Sequence, residues 1–315
     1  MTEHFCTHFD AHFVPAGLAL YHSLEHHAGD FVLWVVCLDK ACETQLTHLN
    51  LPHMRLIPLA QIETAALQQV KPGRTRAEYC WTLTPFIPQA VLDRCPDATR
   101  VTYLDADLFF FDSPQSLLAE LDAAAREVLI TEHAYDPRYD LTGTSGRFCV
   151  QFLTFCRTPA AQTVLTWWQD RCLEWCFDRM EDGKYGDQKY LDCWPERFAD
   201  TVHVCQQQER TLAPWNVSQF ARQGGGSVNP VFYHFQGLRI VSPHRVRLYS
   251  GYQISAAGLA LYVQYLQALS REAARLVSQG IAVPLLPVPK PRFAWLRHLK
   301  WVCLTHTVRY ASLDY

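Results

Sequence analysis

An apolar segment with two aspartates near its centre, residues 101–111, constrains the fold of this chain more than any other feature. Its first half is typical of a buried strand, and Asp105 and Asp107 follow where that strand ends. Because alternate side chains of a strand share one face, the two carboxylates can converge on a single divalent cation. Unpaired charge between apolar residues is costly unless a metal or a partner compensates it. We therefore predict a metal site, although a D-x-D motif alone is usually a solvated acidic turn.

Strand-like apolar runs alternate with helical patterns along most of the chain. A long helix is expected from Thr158, as its N-cap, to near Gly183. This strand-then-helix order predicts an α/β fold with a mainly parallel central sheet flanked by helices. In such sheets ligands bind beyond the carboxyl ends of the strands, which is where the two aspartates fall. The strand-like runs cover residues 4–9, 31–38, 54–59, 101–111, 128–131 and 202–205.

Composition excludes several classes of protein. The net charge of -3 provides no overall basic field, so a nucleic-acid partner is not expected. The 12 cysteines are scattered through apolar segments without a C-x-x-C motif, which indicates reduced thiols rather than disulfides or structural zinc. The N-terminus does not read as a signal peptide, and no apolar run reaches the ~18 residues of a membrane span. We expect a cytoplasmic protein.

Three more motifs accompany the D-x-D. They are the opening segment 5–17, the Asp187-Gln188 pair and the His234-x-x-Gly237 element. In this order the four motifs resemble the retaining glycosyltransferases of the GT-A fold, particularly glycosyltransferase family 8, which includes bacterial lipopolysaccharide glycosyltransferases and glycogenin. The match spans residues 4–240. The resemblance implies the GT-A nucleotide-diphospho-sugar transferase fold and a UDP-sugar donor.

For the opening segment, the resemblance implies a nucleotide site. In the family an aspartate and a polar residue contact uracil while an aromatic ring covers it, and Asp10, His12 and Phe13 occupy those positions. Thr7 and His8, on the strand before them, are also expected to line the nucleotide site. The alternative is a buried strand end with an aspartate that caps its own turn.

For the D-x-D and the histidine, the resemblance implies that Asp105, Asp107 and His234 hold Mn²⁺ or Mg²⁺, with Asp105 also close to the donor. Such a cation bridges both phosphates and stabilises the charge of the departing nucleoside diphosphate. An imidazole with two carboxylates suits manganese better than calcium. Gly237 and Arg239 are expected at the diphosphate, where Arg239 replaces a lysine that the family has one position later.

For the Asp187-Gln188 pair, the resemblance implies the catalytic roles. Asp187 would hold hydroxyls of the donor sugar, and Gln188 would lie beside its anomeric carbon. Retaining glycosidases use a carboxylate nucleophile at that point. Because glutamine is a feeble nucleophile, we expect a same-face substitution in which Gln188 stabilises an oxocarbenium ion. The alternative is an N-cap aspartate followed by a glutamine on a helix surface.

The chain departs from the family pattern at several positions. Residues 149–151 read Cys-Val-Gln where members often have Asn-x-Gly, so contacts to the sugar are expected to differ there. The basic residue usually found before the D-x-D has no clear counterpart, although Arg74 and Arg76 lie in a loop that could be mobile. Further candidates for the site are Glu78, Thr82 and Trp215.

Three regions are predicted along the chain. Residues 1–247 form the GT-A domain, with a nucleotide-binding half at about 1–112 and an acceptor half at about 113–247. Residues 248–280 form a helical extension, and residues 281–315 a Pro-rich linker and a basic aromatic tail. The tail is either an anchor at the inner membrane surface or a terminal helix docked on the domain.

The motifs together predict a metal-dependent hexosyltransferase. The acceptor is expected to be a saccharide or glycolipid, such as a lipopolysaccharide precursor. One alternative is a sugar-1-phosphate nucleotidyltransferase, although the chain has no glycine-rich phosphate loop near its N-terminus. Another is a non-catalytic protein that binds a sugar nucleotide or a glycan.

Overall fold

A seven-stranded sheet forms the centre of the protein, in a computed structural model that describes residues 2–285 and 308–315. Its strands are β1 (Glu3–Phe9), β2 (Phe31–Cys37), β3 (Met54–Pro58), β4 (Arg100–Leu104), β6 (Val128–Glu132), β7 (Phe148–Cys156) and β8 (Val202–Val204), while β5 (Leu108–Phe110) lies outside it. The strand order is β3-β2-β1-β4-β7-β6-β8. Only the pairs that involve β7 are antiparallel within this described sheet. The predicted mainly parallel α/β sheet is confirmed.

Helices cover both faces of the sheet. They are α1 (Val14–His27), α2 (Lys40–Leu49), α3 (Ala65–Val70), α4 (Arg76–Leu83), α5 (Phe86–Arg94), α6 (Gln115–Ala123), α7 (Thr142–Ser145), α8 (Pro159–Glu174), α9 (Trp194–Arg197), α10 (Val217–Gln223) and α11 (Ala256–Ser278). Helices α1, α2 and α6 share one core with Phe5, whereas α4, α5 and α8 share the other with Cys6. Strands that are covered on both faces are buried along their whole length, as β4 is.

A second sheet brings the predicted metal ligands together. After β4 the chain turns through Asp105 and Asp107 and continues as β5, which pairs antiparallel with β10 (Phe232–His234) beside β9 (Thr211–Leu212). In this register His234 lies opposite Leu108, the residue after Asp107. The backbone N–H of Phe235 also donates to the carbonyl of Asp107, at 2.9 Å. Backbone pairing therefore places the histidine next to the D-x-D.

The C-terminal part packs on the same domain. Strands β11 (Arg239–Ser242), β12 (Arg245–Ser250) and β13 (Val308–Ser312) form a third sheet, and α11 packs against α1 and α10. The proposed domain limit at residue 247 falls inside β12. Most of the predicted Pro-rich linker and basic aromatic tail, residues 286–307, lies outside the described residues. Within the described ranges every helix is too short or too polar to span a bilayer.

Two predicted elements have different limits in the structure. The segment 101–111 is not one strand, because the turn at Asp105 and Asp107 divides it into β4 and β5 of different sheets. The helix capped by Thr158 ends at Glu174 rather than near Gly183. Beyond it the chain is held in a loop by tertiary contacts, since the N–H of Asp178 donates to Glu78 Oε1 of α4 at 2.9 Å.

The close approach of α1 to β1 gives a stability prediction. A Cβ atom at Gly17 would lie 2.4 Å from Cζ of the buried Phe9 ring. We expect Gly17→Ala to lower the free energy of unfolding by about 1–3 kcal/mol through overpacking, measured by urea denaturation. Gly73→Ala is the control, because a Cβ at Gly73 meets no atom within 4 Å. Equal stability of the two variants would contradict the prediction.

Candidate active site

A cleft of about 420 Å³ opens at the carboxyl edge of the central sheet, a volume typical of a small-molecule site. The ends of β1, β2 and β4 form one side, and the loops before β7 and after α8 form the other. Its lining includes most of the residues predicted from the motifs. Those predicted residues are His8, Asp10, Phe13, Asp105, Asp107, Asp187, Gln188 and His234, with Trp215 beside them.

Asp105, Asp107 and His234 meet at the floor of this cleft. His234 Nε2 lies 3.1 Å from Asp107 Oδ1 and 3.7 Å from Asp105 Oδ2. One ligand atom from each residue lies within 4.8 Å of the other two. Neighbouring ligand atoms of an octahedral cation with bonds of about 2.1 Å lie about 3 Å apart, so the spacing fits a small divalent ion after minor adjustment. With two hard oxygens and one imidazole nitrogen, the set suits Mn²⁺ or Mg²⁺.

The electrostatics of the three groups favour positive charge at this point. Burial alone would lower the pKa of His234, but the facing carboxylates of Asp107 and Asp105 raise it well above its ordinary value. Burial raises the pKa of Asp105 to about 6, and the neighbouring Asp107 adds to the increase. For Asp107 the positive charges of His234 and Arg239 outweigh burial, so its pKa is lowered. Two partly buried acids therefore share one imidazole, a combination that a divalent cation would neutralise.

Two residues outside the predicted set hold the metal ligands in place. The Tyr103 hydroxyl donates to Asp105 Oδ1 at 3.0 Å. Gln151 Oε1 lies 2.8 Å from His234 Nδ1, on the side of the ring away from the carboxylates. Ring nitrogens that do not bind a metal usually donate to such an acceptor. In the sequence, the signal for Gln151 was a lone amide within the apolar run of β7.

Asp187 has a buried carboxyl group that lines the cleft, and one of its two oxygens accepts no hydrogen bond from the described residues. It is 3% exposed, and no group among the described residues hydrogen-bonds to its Oδ2. Burial raises its pKa to about 7. Asp187 is the N-cap residue of the 3-10 helix Gln188–Cys193 that follows, but its side chain makes no capping hydrogen bond there. An unpartnered buried acceptor beside a cleft is suited to hydroxyl groups of a ligand.

Gln188 is oriented by α7, which lies on the same side of the cleft. Its Nε2 donates to the Ser145 carbonyl of α7 at 2.9 Å. The neighbouring Lys189 donates to Thr142 of the same helix at 2.8 Å and to Asp192 at 2.9 Å. With Nε2 engaged, Oε1 is the amide atom left for a ligand in the cleft. A carbonyl oxygen in this position can stabilise positive charge.

The residues predicted to bind the nucleotide occupy different positions. His8 lines the cleft, and burial lowers its pKa to about 4, so its ring is neutral at pH 7. Asp10 accepts from the His12 N–H at 2.8 Å and forms an ion pair with Arg76 at 2.5 Å. His12 lines a small adjoining pocket instead of the main cleft. The side chain of Thr7 is fully buried in β1 and does not line the cleft in the described structure.

Arg239, predicted at the diphosphate, lies near both Phe13 and Asp107. Its guanidinium lies 5.3 Å from the centroid of the Phe13 ring, a cation–π contact. Arg239 and Asp107 line the same small pocket, and the arginine helps to lower the pKa of that aspartate. Gly237 has φ +82°, a left-handed backbone that lets the chain turn between His234 and Arg239.

The remaining candidates divide into structural residues and residues of the cleft. Arg74 is held by another part of the fold, because it donates to the Cys172 and Leu173 carbonyls near the end of α8, each at 2.7 Å. Thr82 accepts from the same arginine, and Glu78 holds the capping box of α4. Trp215 lines the cleft, with its ring centroid 5.5 Å from that of His234.

Two bacterial proteins are similar to this chain in sequence. No family model matches the chain. It is 32% identical to the uncharacterized protein YfnF of Bacillus subtilis strain 168 over 259 residues, which are 78% of this chain and 85% of YfnF. It is 33% identical to the uncharacterized protein YfnD of the same strain over 284 residues, which are 86% of this chain and 89% of YfnD.

Among solved structures, the chain is similar to the galactosyltransferase LgtC in complex with donor and acceptor sugar analogs. The TM-score is 0.51 and the identity 15%, over 91% of this chain and 98% of LgtC. At this identity the likeness shows the fold alone. The fold is that of the GT-A glycosyltransferases, as the sequence predicted.

Proposed function

This chain belongs to the protein family of Bacillus subtilis YfnF and YfnD, and we propose that it is a metal-dependent, retaining glycosyltransferase. It transfers a hexose from a UDP-sugar to a hydroxyl group of a saccharide. The observation that carries this proposal is the meeting, in one cleft of a GT-A fold, of the Asp105, Asp107 and His234 cluster with the Asp187 carboxyl, whose Oδ2 accepts no hydrogen bond from the described residues.

The chemistry follows from what each group can stabilise. A divalent cation held by the three clustered side chains would supply positive charge to the departing diphosphate. Arg239 adds a fixed positive charge beside the same point. Asp187 accepts hydrogen bonds from hydroxyls of the donor sugar, which fixes the orientation of the ring. Gln188 directs its carbonyl oxygen at the anomeric carbon, where positive charge develops.

The reaction is proposed as a same-face substitution. The bond between the anomeric carbon and the diphosphate oxygen breaks, and the acceptor oxygen forms a bond on the same face. The hydroxyl proton of the acceptor passes to the departing diphosphate. An amide at Gln188 stabilises the oxocarbenium ion without forming a covalent intermediate, so the anomeric configuration of the hexose is retained.

Part of the cleft wall is aromatic, which supports a saccharide acceptor. Tyr135, Trp215 and Tyr252 line the cleft and pack in one apolar cluster, with Tyr135 stacked on His133. Aromatic faces suit the apolar faces of pyranose rings. We propose a glycan or glycolipid of the cell surface, including lipopolysaccharide-type precursors assembled on lipid carriers at the inner leaflet.

The proposal is tested by nucleoside diphosphate release from a panel of UDP- and GDP-sugars with a mixture of saccharide acceptors. We expect release from one UDP-sugar that requires Mn²⁺ or Mg²⁺ and stops when EDTA is added. Pyrophosphate release from UTP and a sugar 1-phosphate would instead identify a nucleotidyltransferase. Binding of UDP-sugars without any hydrolysis or transfer would indicate a non-catalytic binding protein.

A further inference from the structure

Gln151 joins the two parts of the candidate metal cluster. It lies on β7 and is completely buried. It comes one residue before Phe152, which pairs with Leu104 at the end of the β4–β7 ladder. Its backbone carbonyl accepts the N–H of Asp105 at 3.1 Å. Its side-chain Oε1 lies 2.8 Å from His234 Nδ1. One residue therefore contacts ligands that come from two different sheets.

Only the oxygen of the Gln151 side-chain amide has a hydrogen-bond partner among the described residues. Its Nε2 is buried and has no hydrogen-bond partner among the described residues. The rest of β7 is apolar apart from Thr154, whose hydroxyl pairs with that of Thr102 at 2.9 Å. A leucine would fill the position of Gln151 without an unpaired polar atom. Packing therefore does not explain a glutamine here, whereas the contact with His234 does.

A metal-bound imidazole needs a hydrogen-bond acceptor for its other ring nitrogen, and this need explains the contact between Gln151 and His234. When His234 Nε2, which faces the carboxylates, binds a cation, the remaining ring proton must lie on Nδ1. Gln151 Oε1 is placed to accept that proton. The hydrogen bond fixes both the tautomer and the rotation of the ring, so that Nε2 stays directed at Asp105 and Asp107.

We infer that Gln151 is a positioning residue for the metal ligand His234, an inference that rests on the metal site of the proposed function. The glutamine acts through its Oε1 acceptor and does not touch the cation. A neutral amide also adds no further negative charge to a cluster that already holds two carboxylates.

The test compares Mn²⁺ affinity with stability in the full chain. Titration with Mn²⁺ alone, followed by the EPR signal of free Mn²⁺, gives the dissociation constant, and urea denaturation of the metal-free protein gives the unfolding midpoint. We expect Gln151→Leu to weaken Mn²⁺ binding about 10- to 100-fold. Its unfolding midpoint should change little, because the lost acceptor of His234 is offset by removal of the unpaired Nε2.

Two further variants separate positioning from general structure. Gln151→Glu keeps an acceptor oxygen and is expected to keep Mn²⁺ affinity at or above that of the unaltered chain. Thr154→Val, on the same strand, breaks the buried pair with Thr102 and should lower the unfolding midpoint without changing Mn²⁺ affinity.

The outcomes distinguish the positioning role of Gln151 from the metal dependence of the proposed function. Unchanged Mn²⁺ affinity in Gln151→Leu, or an equal loss in Gln151→Glu, would overturn the role of Gln151 and leave the metal site intact. A fall in midpoint and affinity together in Gln151→Leu would assign the residue to structure and overturn positioning. Failure of the unaltered chain to bind Mn²⁺ would overturn both the positioning role and the metal dependence of the proposed function.

Discussion

Replacing Asp107 with asparagine is expected to slow nucleoside diphosphate release about 100- to 10,000-fold, a loss of about 3–5 kcal/mol of transition-state stabilisation. The carboxylate of Asp107 lies 3.1 Å from His234 Nε2, and its lowered pKa keeps it ionised in the neutral range. Asparagine preserves its size but removes the negative charge that holds the cation. The measurement is the turnover rate at saturating donor, with Mn²⁺ varied over a wide range.

A nearby aspartate provides the control for this variant. Asp112 follows β5 in the same stretch of chain, but it is half exposed and pairs with Arg210 at 2.6 Å. Asp112→Asn should therefore leave turnover nearly unchanged. Normal turnover of Asp107→Asn with added Mn²⁺ would show that this carboxylate does not hold a catalytic cation.

Replacing Gln188 with alanine is expected to slow sugar transfer about 100-fold while leaving the affinity for UDP nearly intact. Removal of one preorganised electrostatic contact at a reacting centre typically costs about 10²–10³ in rate. UDP lacks the sugar, so it does not use the amide that faces the anomeric carbon. The two quantities are measured separately, by turnover at saturating donor and by calorimetric titration with UDP.

The loop that Gln188 contacts requires its own control. Gln188 donates to Ser145, and Lys189 donates to Thr142 of the same short helix. Lys189→Ala releases the helix without removing the amide, so it should retain most of the turnover. Similar losses in both variants would mean that loop position, and not charge stabilisation, accounts for the effect. A large loss of UDP affinity in Gln188→Ala would make it a donor-binding residue.

The sequence predicted the α/β sheet and its ligand-binding edge because both depend on local patterns. Continuous apolar runs indicated buried parallel strands, and strand ends indicated where ligands bind. The meeting of His234 with Asp105 and Asp107 was expected only from the family resemblance, because pairing of β10 with β5 is a long-range contact. The confirmed GT-A fold accounts for that pairing. The roles of the individual residues remain predictions.

Features set by tertiary contacts could not be read from the sequence. The longest strand of the central sheet, β7, was not predicted, although it supplies Gln151. The loop of Arg74 looked mobile because its partners are carbonyls about a hundred positions away in the chain. Likewise the end of α8 follows from contacts with α4, not from a break in helical periodicity.

The central claim is that Asp105, Asp107 and His234 hold one cation that neutralises the diphosphate of the donor. Anomalous diffraction from crystals grown with Mn²⁺ and UDP tests it most directly. We expect a manganese peak within coordination distance of all three side chains and of oxygens from both phosphates. A structure with UDP bound in the cleft and manganese absent from these residues, or bound elsewhere, would contradict the account.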